Sequence, residues 1–149
     1  MKTRFYQPSD FAQLMFMGAN MHMESDFSPF AFEPYHIRNL ERRLLDSPDM
    51  CCIVAESDER IVGMFVGGVS EFFFGPDKYG FDLLLYVAPD YRGSSAAYRL
   101  VKAAAAFCFS RGAKQLRFGV STGINPASTD AFYRRLGFIS SGVLYTMMA

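Results

Sequence analysis

A net charge of either sign is the first thing this sequence lacks. Its 149 residues carry 15 Lys+Arg against 15 Asp+Glu, a formal charge of zero. That balance argues against a basic nucleic-acid face as the main activity. Long apolar runs are missing too. No stretch approaches the roughly 18 residues of a membrane span, so no membrane partner is expected. Met1 to Asp10 mixes charged, polar and proline residues without the apolar centre of a signal peptide, which makes the cytoplasm the expected location. Cysteine is scarce, at Cys51, Cys52 and Cys108 only. An odd count with an adjacent pair is no disulfide framework. Neighbours on a strand point to opposite faces, so the thiols read as small reduced hydrophobes. Neither CxxC nor HExxH occurs, and His22 and His36 stand apart, so no metal site is expected.

What is present is a core. Half the residues are apolar and 20% are charged, which excludes a disordered chain. The length suits one domain over residues 1–149. Residues 1–7 partly alternate and predict a short strand. Pro8-Ser9-Asp10 reads as a helix start, with Asp10 and Gln13 spaced for a capping box and the helix running to about Met23. Glu24 to Pro34 reads as a loop. A second helix is expected over Tyr35–Asp46, with Ile37, Leu40, Leu44 and Leu45 on its apolar face. The period then changes. Cys51–Glu56, a turn at 57–60 and Ile61–Phe73 predict a hairpin, with Gly67-Gly68 marking a bulge or close packing.

Phe81–Ala88 predicts a strand ended by Pro89, and Gly93–Arg111 a helix capped by Gly112. Gln115–Val120 predicts another strand. Asn125-Pro126 opens a helix that stops at Gly137. Phe138–Met148 reads as a last strand or pair of strands. The order β-α-α-β-β-β-α-β-α-β predicts an α/β (α+β) fold. Its core would be a single mixed, mostly antiparallel sheet of 6–7 strands with helices on both faces.

Two segments carry chemistry. Residues 86–100, Tyr-Val-Ala-Pro-Asp-Tyr-Arg-Gly-Ser-Ser-Ala-Ala-Tyr-Arg-Leu, read as strand, tight turn and helix. Small side chains at the helix entrance let an anion approach free amides, and Arg92 adds positive charge. The segment is neither a Walker loop nor a GxGxxG fingerprint. By itself it also reads as an ordinary tight turn between strand and helix. Residues 132–138, Phe-Tyr-Arg-Arg-Leu-Gly-Phe, place Tyr133 on a short helix; alone, that motif equally fits a core aromatic.

Together, the Arg-x-x-small-x-small turn and the later Phe-Tyr-x-x-Leu-Gly-Phe resemble the GNAT acetyltransferase superfamily. The resemblance extends over nearly the whole chain and includes the Gly119–Ile124 stretch. It implies an acyl-CoA N-acyltransferase-like fold that uses acetyl-CoA to acetylate an amine. The matching diphosphate-binding turn is Arg92, Gly93, Ser94, Ser95, Ala96 and Ala97. The family usually has glycine at the position of Ser95; a serine keeps the amide and adds a hydroxyl. Leu85, Tyr86 and Val87 match the strand end that pairs with the pantetheine arm. Tyr133 matches the tyrosine that gives a proton to the departing thiolate. Asn125 resembles a cofactor-contacting asparagine, one residue further from the tyrosine than usual. Asp82 and Glu71 fall on strands that would flank the acceptor, and each is a candidate base; each also fits a solvated strand-edge carboxylate.

The same resemblance puts the acceptor beside the first two helices. There Glu24, Asp26 and Glu33 stand among Phe27, Phe30, Phe32 and Tyr35, a set suited to a cationic small-molecule or peptide amine. It suits equally a loop that covers the core. The apolar Phe72-Phe73-Phe74 tip and Val143–Met148 predict a homodimer. Two other classes stay open. One is a module that binds acyl-CoA or a protein without catalysis. The other is a nucleic-acid binder using Arg92, Arg99, Lys102, Arg134 and Arg135, residues that also fit phosphate binding and ordinary helix surfaces.

Overall fold

The turns punctuate the chain into a meander followed by a crossover. A computed structural model describes residues 1–149. Strand β1 (Lys2–Phe5) precedes helices α1 (Phe11–Glu24) and α2 (Pro34–Asp46). Strands β2 (Met50–Ser57), β3 (Arg60–Glu71) and β4 (Lys78–Val87) follow, then α3 (Ala96–Ser110), β5 (Ala113–Arg117) and α4 (Pro126–Arg135). The five strands form one sheet in sequence order. All neighbours are antiparallel except β4 and β5, which run parallel because α3 crosses between them. The β2–β3 hairpin closes on Asp58 and Glu59, both at positive φ, a geometry that follows the twist of the flanking strands.

The adjacent cysteines point to opposite faces. Cys51 joins Ile53, Phe65, Leu100 and Ala104 under α3, while Cys52 joins Met17, Val54, Met64 and Tyr86 under α1 and α2. Helices therefore cover both faces, as the order of elements predicts. No helix is long and apolar enough to cross a membrane.

Several expectations change. The sheet has five strands, not 6–7, because residues 138–149 form no strand. Val143, Leu144 and Tyr145 stay exposed, and β5 offers only five residues to pair with. Helix α3 begins at Ala96 instead of Gly93, because Ser94 Oγ accepts the Ala96 N–H at 3.2 Å and holds residues 91–95 in a turn. Asp10 and Gln13 form no capping box. Asp10 is buried and accepts from Arg4 at 2.7 and 2.9 Å and from the Gln7 amide at 2.8 Å, while Gln13 accepts from the Ile61 amide at 3.2 Å. Leu45 turns to solvent instead of joining the apolar face of α2. Strand β4 starts earlier than expected, at Lys78, and β5 covers Ala113–Arg117.

Gly67 marks close packing as expected: a Cβ there would collide with the Phe81 carbonyl and the Phe65 ring. The extra residue lies on the partner strand. Val66 faces Leu84 and Gly67 faces Asp82, so Leu83 is bulged out of β4.

Candidate active site

Strands β4 and β5 pair only from Lys78–Ala113 to Phe81–Arg117. Beyond Phe81, β4 continues along β3 and loses its other neighbour. The Ala88 N–H bonds to the Val62 carbonyl at 2.9 Å, and antiparallel alternation directs the polar backbone of Tyr86 and Leu84 the same way. The N–H and C=O of Leu85 and Val87 consequently point off the sheet, toward the gap left by β5. That gap is a cleft of about 330 Å³, lined by residues 82–87, Arg92, Gly93, Ser94, Ala97, residues 119–122 and the helix that carries Tyr133.

At one end of the cleft stands the turn before α3. Gly93 has φ +83°, a conformation that L side chains rarely adopt, and it aims the following amides across the helix entrance. The amides of Gly93, Ser95, Ala97 and Tyr98 have no protein acceptor. With the positive end of the α3 dipole they form an anion cradle.

Elsewhere along its lining the cleft carries Tyr133 and Asp82. Tyr133 is buried against Phe118, Phe132 and Phe138. Its hydroxyl has no hydrogen-bond partner. Burial, with the nearby Asp82 charge second, pushes its pKa well above the usual phenol range, so it keeps its proton at neutral pH. Asp82 accepts the Gly119 amide at 2.9 Å. Burial raises its carboxyl to about 6, against a lowering by backbone hydrogen bonds. A carboxyl that titrates near 6 is largely ionised at neutral pH and suits proton acceptance.

Arg92 has partners that sequence reasoning missed. Its guanidinium bonds to Glu24 at 2.5 Å and to the Val87 carbonyl at 3.1 Å, and lies 5.5 Å from the Tyr86 ring. The same Glu24 oxygen accepts the Tyr86 hydroxyl at 2.5 Å. Arg92 chiefly, and Tyr86 after it, hold the Glu24 carboxyl below the usual range despite its partial desolvation. No local pattern announces a contact between residues 68 apart, although Glu24 stands among the expected acceptor-side acids. The connection between α1 and α2 reaches the same region, where the Asp26 amide bonds to the Thr122 carbonyl at 2.8 Å.

Of the residues singled out in the sequence, Asp82, Leu85, Tyr86, Val87, Arg92, Gly93, Ser94, Ala97, Asn125 and Tyr133 share this one cleft. Asn125 holds a left-handed backbone before α4 and makes no side-chain cap. Ala96 is fully buried beneath the turn, and the Ser95 hydroxyl accepts from Arg99 at 3.1 Å, so neither side chain lines the cleft. Glu71 does not line it either. It is exposed at the end of β3, opposite Lys78, at the end of the paired β4–β5 stretch that lies away from the opening.

The fold that holds this cleft has counterparts among known proteins. The family model of the acetyltransferase (GNAT) family matches residues 19–138. The chain belongs to the GNAT acetyltransferase family. Solved structures share its fold at low identity. A transcriptional regulator from Bacillus halodurans C-125 is 18% identical with a TM-score of 0.81, each chain covered over 99%. AAC(6')-Iy, in complex with the bisubstrate analogue CoA-S-monomethyl-acetylneamine, is 15% identical with a TM-score of 0.78, covering 99% of this chain and 97% of that one. Glucosamine-6-phosphate N-acetyltransferase from Arabidopsis thaliana is 14% identical with a TM-score of 0.79, at 99% and 97% coverage. No curated protein matches the sequence. The GNAT family implies a CoA-based acyl donor, and the cleft can be tested for its fit to one. The free amides at 93–98 match a diphosphate in charge, and the outward Leu85 and Val87 edges match an amide-bearing arm in hydrogen bonding.

Proposed function

We propose that this GNAT protein, as one domain over residues 1–149, transfers an acetyl group from acetyl-CoA directly to a primary amine. The observation that carries the proposal is convergence. One cleft joins an anion cradle, an unpaired strand edge, a protonated buried tyrosine and a carboxyl titrating near 6. Acetyl-CoA, when bound, supplies an acyl carbon activated as a thioester.

The residues divide the remaining work. Amides of Gly93, Ser95, Ala97 and Tyr98 hold the diphosphate, and the Leu85–Val87 edge orients the arm. The Val87 N–H donates to the thioester oxygen as it gains charge. Asp82, directly or through water, takes the proton that the attacking amine must lose. Tyr133 gives its proton to the departing sulfur. Glu71 lies outside the cleft, which leaves Asp82 as the carboxylate for this role.

We infer further that the protein is a homodimer. Val143, Leu144, Tyr145, Met147 and Met148 are all at least two-thirds exposed, and Phe73 is fully exposed. A second copy is the partner that would cover them.

The deciding experiment incubates the protein with acetyl-CoA and a panel of small-molecule and peptide amines and follows thiol release. Turnover with an amine supports the proposal. CoA binding without turnover on any amine would replace it with a non-catalytic acyl-CoA-binding module.

A further inference from the structure

The contacts of Arg92 point to a device that the acyl-transfer reading does not require. The guanidinium stands beside the anion cradle with its bonds directed elsewhere. It is tied to Glu24 at 2.5 Å and to the Val87 carbonyl at 3.1 Å. The first partner is the last residue of α1, the side that the proposed reaction gives to the acceptor. The second belongs to the strand edge that has no β5 neighbour. Both ends of the tie are only partly exposed, with side-chain accessibilities of 30% for Arg92 and 32% for Glu24. Tyr86 braces it by giving its hydroxyl to the same carboxylate.

We propose that Arg92 and Glu24 form a latch which the donor opens, on the reading that the 93–98 amides receive the donor's diphosphate. A diphosphate carries more negative charge than a single carboxylate and would arrive next to Arg92. The two anions compete for one guanidinium. When Arg92 turns to the diphosphate, it leaves Glu24 and uncovers the Val87 carbonyl. Glu24 then keeps only the Tyr86 hydroxyl. It is an ionised carboxylate at the acceptor side in need of a cation, and the ammonium of the incoming amine is that cation. Donor binding thereby prepares the acceptor site. The coupling is reciprocal, so Glu24 acts as a brake on the donor as long as no amine is present.

The test is calorimetric titration of CoA into the intact protein. Glu24→Gln keeps an acceptor for Tyr86 and removes the charge that holds Arg92. The latch predicts that CoA binds this variant about two- to five-fold more tightly than wild type, the range of a partly exposed ion pair. In an Arg92→Gln background the same Glu24 change should have no effect, because no latch is left to open. A thermal melt verifies that each variant is folded. On the first amine turned over in the panel, Glu24→Gln should raise KM about ten-fold with kcat within two-fold. Weaker or equal CoA binding by Glu24→Gln, in a wild type that binds CoA, overturns the latch and makes Glu24 a simple support for Arg92. An unchanged amine KM overturns the acceptor half. A wild type that fails to bind CoA overturns the donor-site reading instead, so the two failures are distinct.

Discussion

Replacing Asp82 with asparagine should make the protein more stable and less active, and both effects should depend on pH. The folded-state pKa of Asp82 is about 6 against an ordinary 3.8, and burial is the main cause. At about 1.4 kcal/mol per pKa unit, the full shift corresponds to about 3 kcal/mol against the ionised form. The cleft is open to water, so the part realised as stability is about 1–2 kcal/mol. The sign follows from linkage. The native state binds the Asp82 proton more tightly than the unfolded chain does. The penalty is therefore absent below about pH 3.8 and grows through the window up to about 6. Above that it is fully present. The asparagine side chain of the variant carries no charge and can still accept the Gly119 amide, so it escapes the penalty. Urea titration at pH 7.5 should show D82N about 1–2 kcal/mol more stable, with a melting point about 2–8 °C higher. At pH 4 the gap should largely close. In the same variant the acid limb of kcat/KM, expected near pH 6 in wild type, should disappear together with most of the activity. A stability difference that does not change between pH 4 and pH 7.5 would refute the reasoning, because it would show that Asp82 titrates alike in both states.

Tyr133→Phe should lower kcat by roughly 10²–10⁴-fold with little change in CoA affinity. Because the hydroxyl is buried without a partner, its loss should leave the melting point equal or higher, so a rate loss accompanied by a lower melting point would assign Tyr133 to packing. Ala97→Glu should abolish CoA binding in calorimetry, since Ala97 lines the cleft, whereas Ser95→Glu should weaken it far less, because the Ser95 side chain turns toward Arg99; equal losses would contradict that placement. Sedimentation of the full chain should show a dimer, and removal of residues 139–149 should leave a monomer lighter than the 16.8 kDa full chain; a full chain that sediments as a monomer at micromolar concentration removes the dimer.

Local signals in the sequence carried the fold well where one residue type dictates one geometry. Pro126 opens α4, and Gly112 ends α3 at φ +88°. The paired cysteines divide between two faces, as strand alternation requires. The site was legible through the two motifs, which bring Leu85–Val87, Arg92–Ser94, Ala97 and Tyr133 to one cleft. What stayed hidden depends on distant partners. Gln13 is used by the Ile61 amide instead of its own helix, and Glu24 is used by Arg92 and Tyr86. Glu71 and Asp82 both looked like strand carboxylates. Only the bulge at Leu83 and the early end of β4–β5 pairing separate the one in the cleft from the one beyond it. The C-terminal apolar residues resembled a strand by composition, but a strand also needs a neighbour, and the chain supplies none for them.

The one-sided pairing of β4 has a consequence for amide exchange. Along residues 84–88, alternate N–H groups are locked to β3 while those of Leu85 and Val87 meet solvent. In deuterated buffer the strand should therefore label in a staggered pattern, fast at 85 and 87 and slow at 84, 86 and 88, although all five belong to the same run of backbone. An extended molecule bonded along the open side would slow the odd positions and erase the stagger, leaving the even ones unchanged. The strand thus carries its own occupancy gauge, one that reports binding at single-residue resolution without a label, a chromophore or turnover.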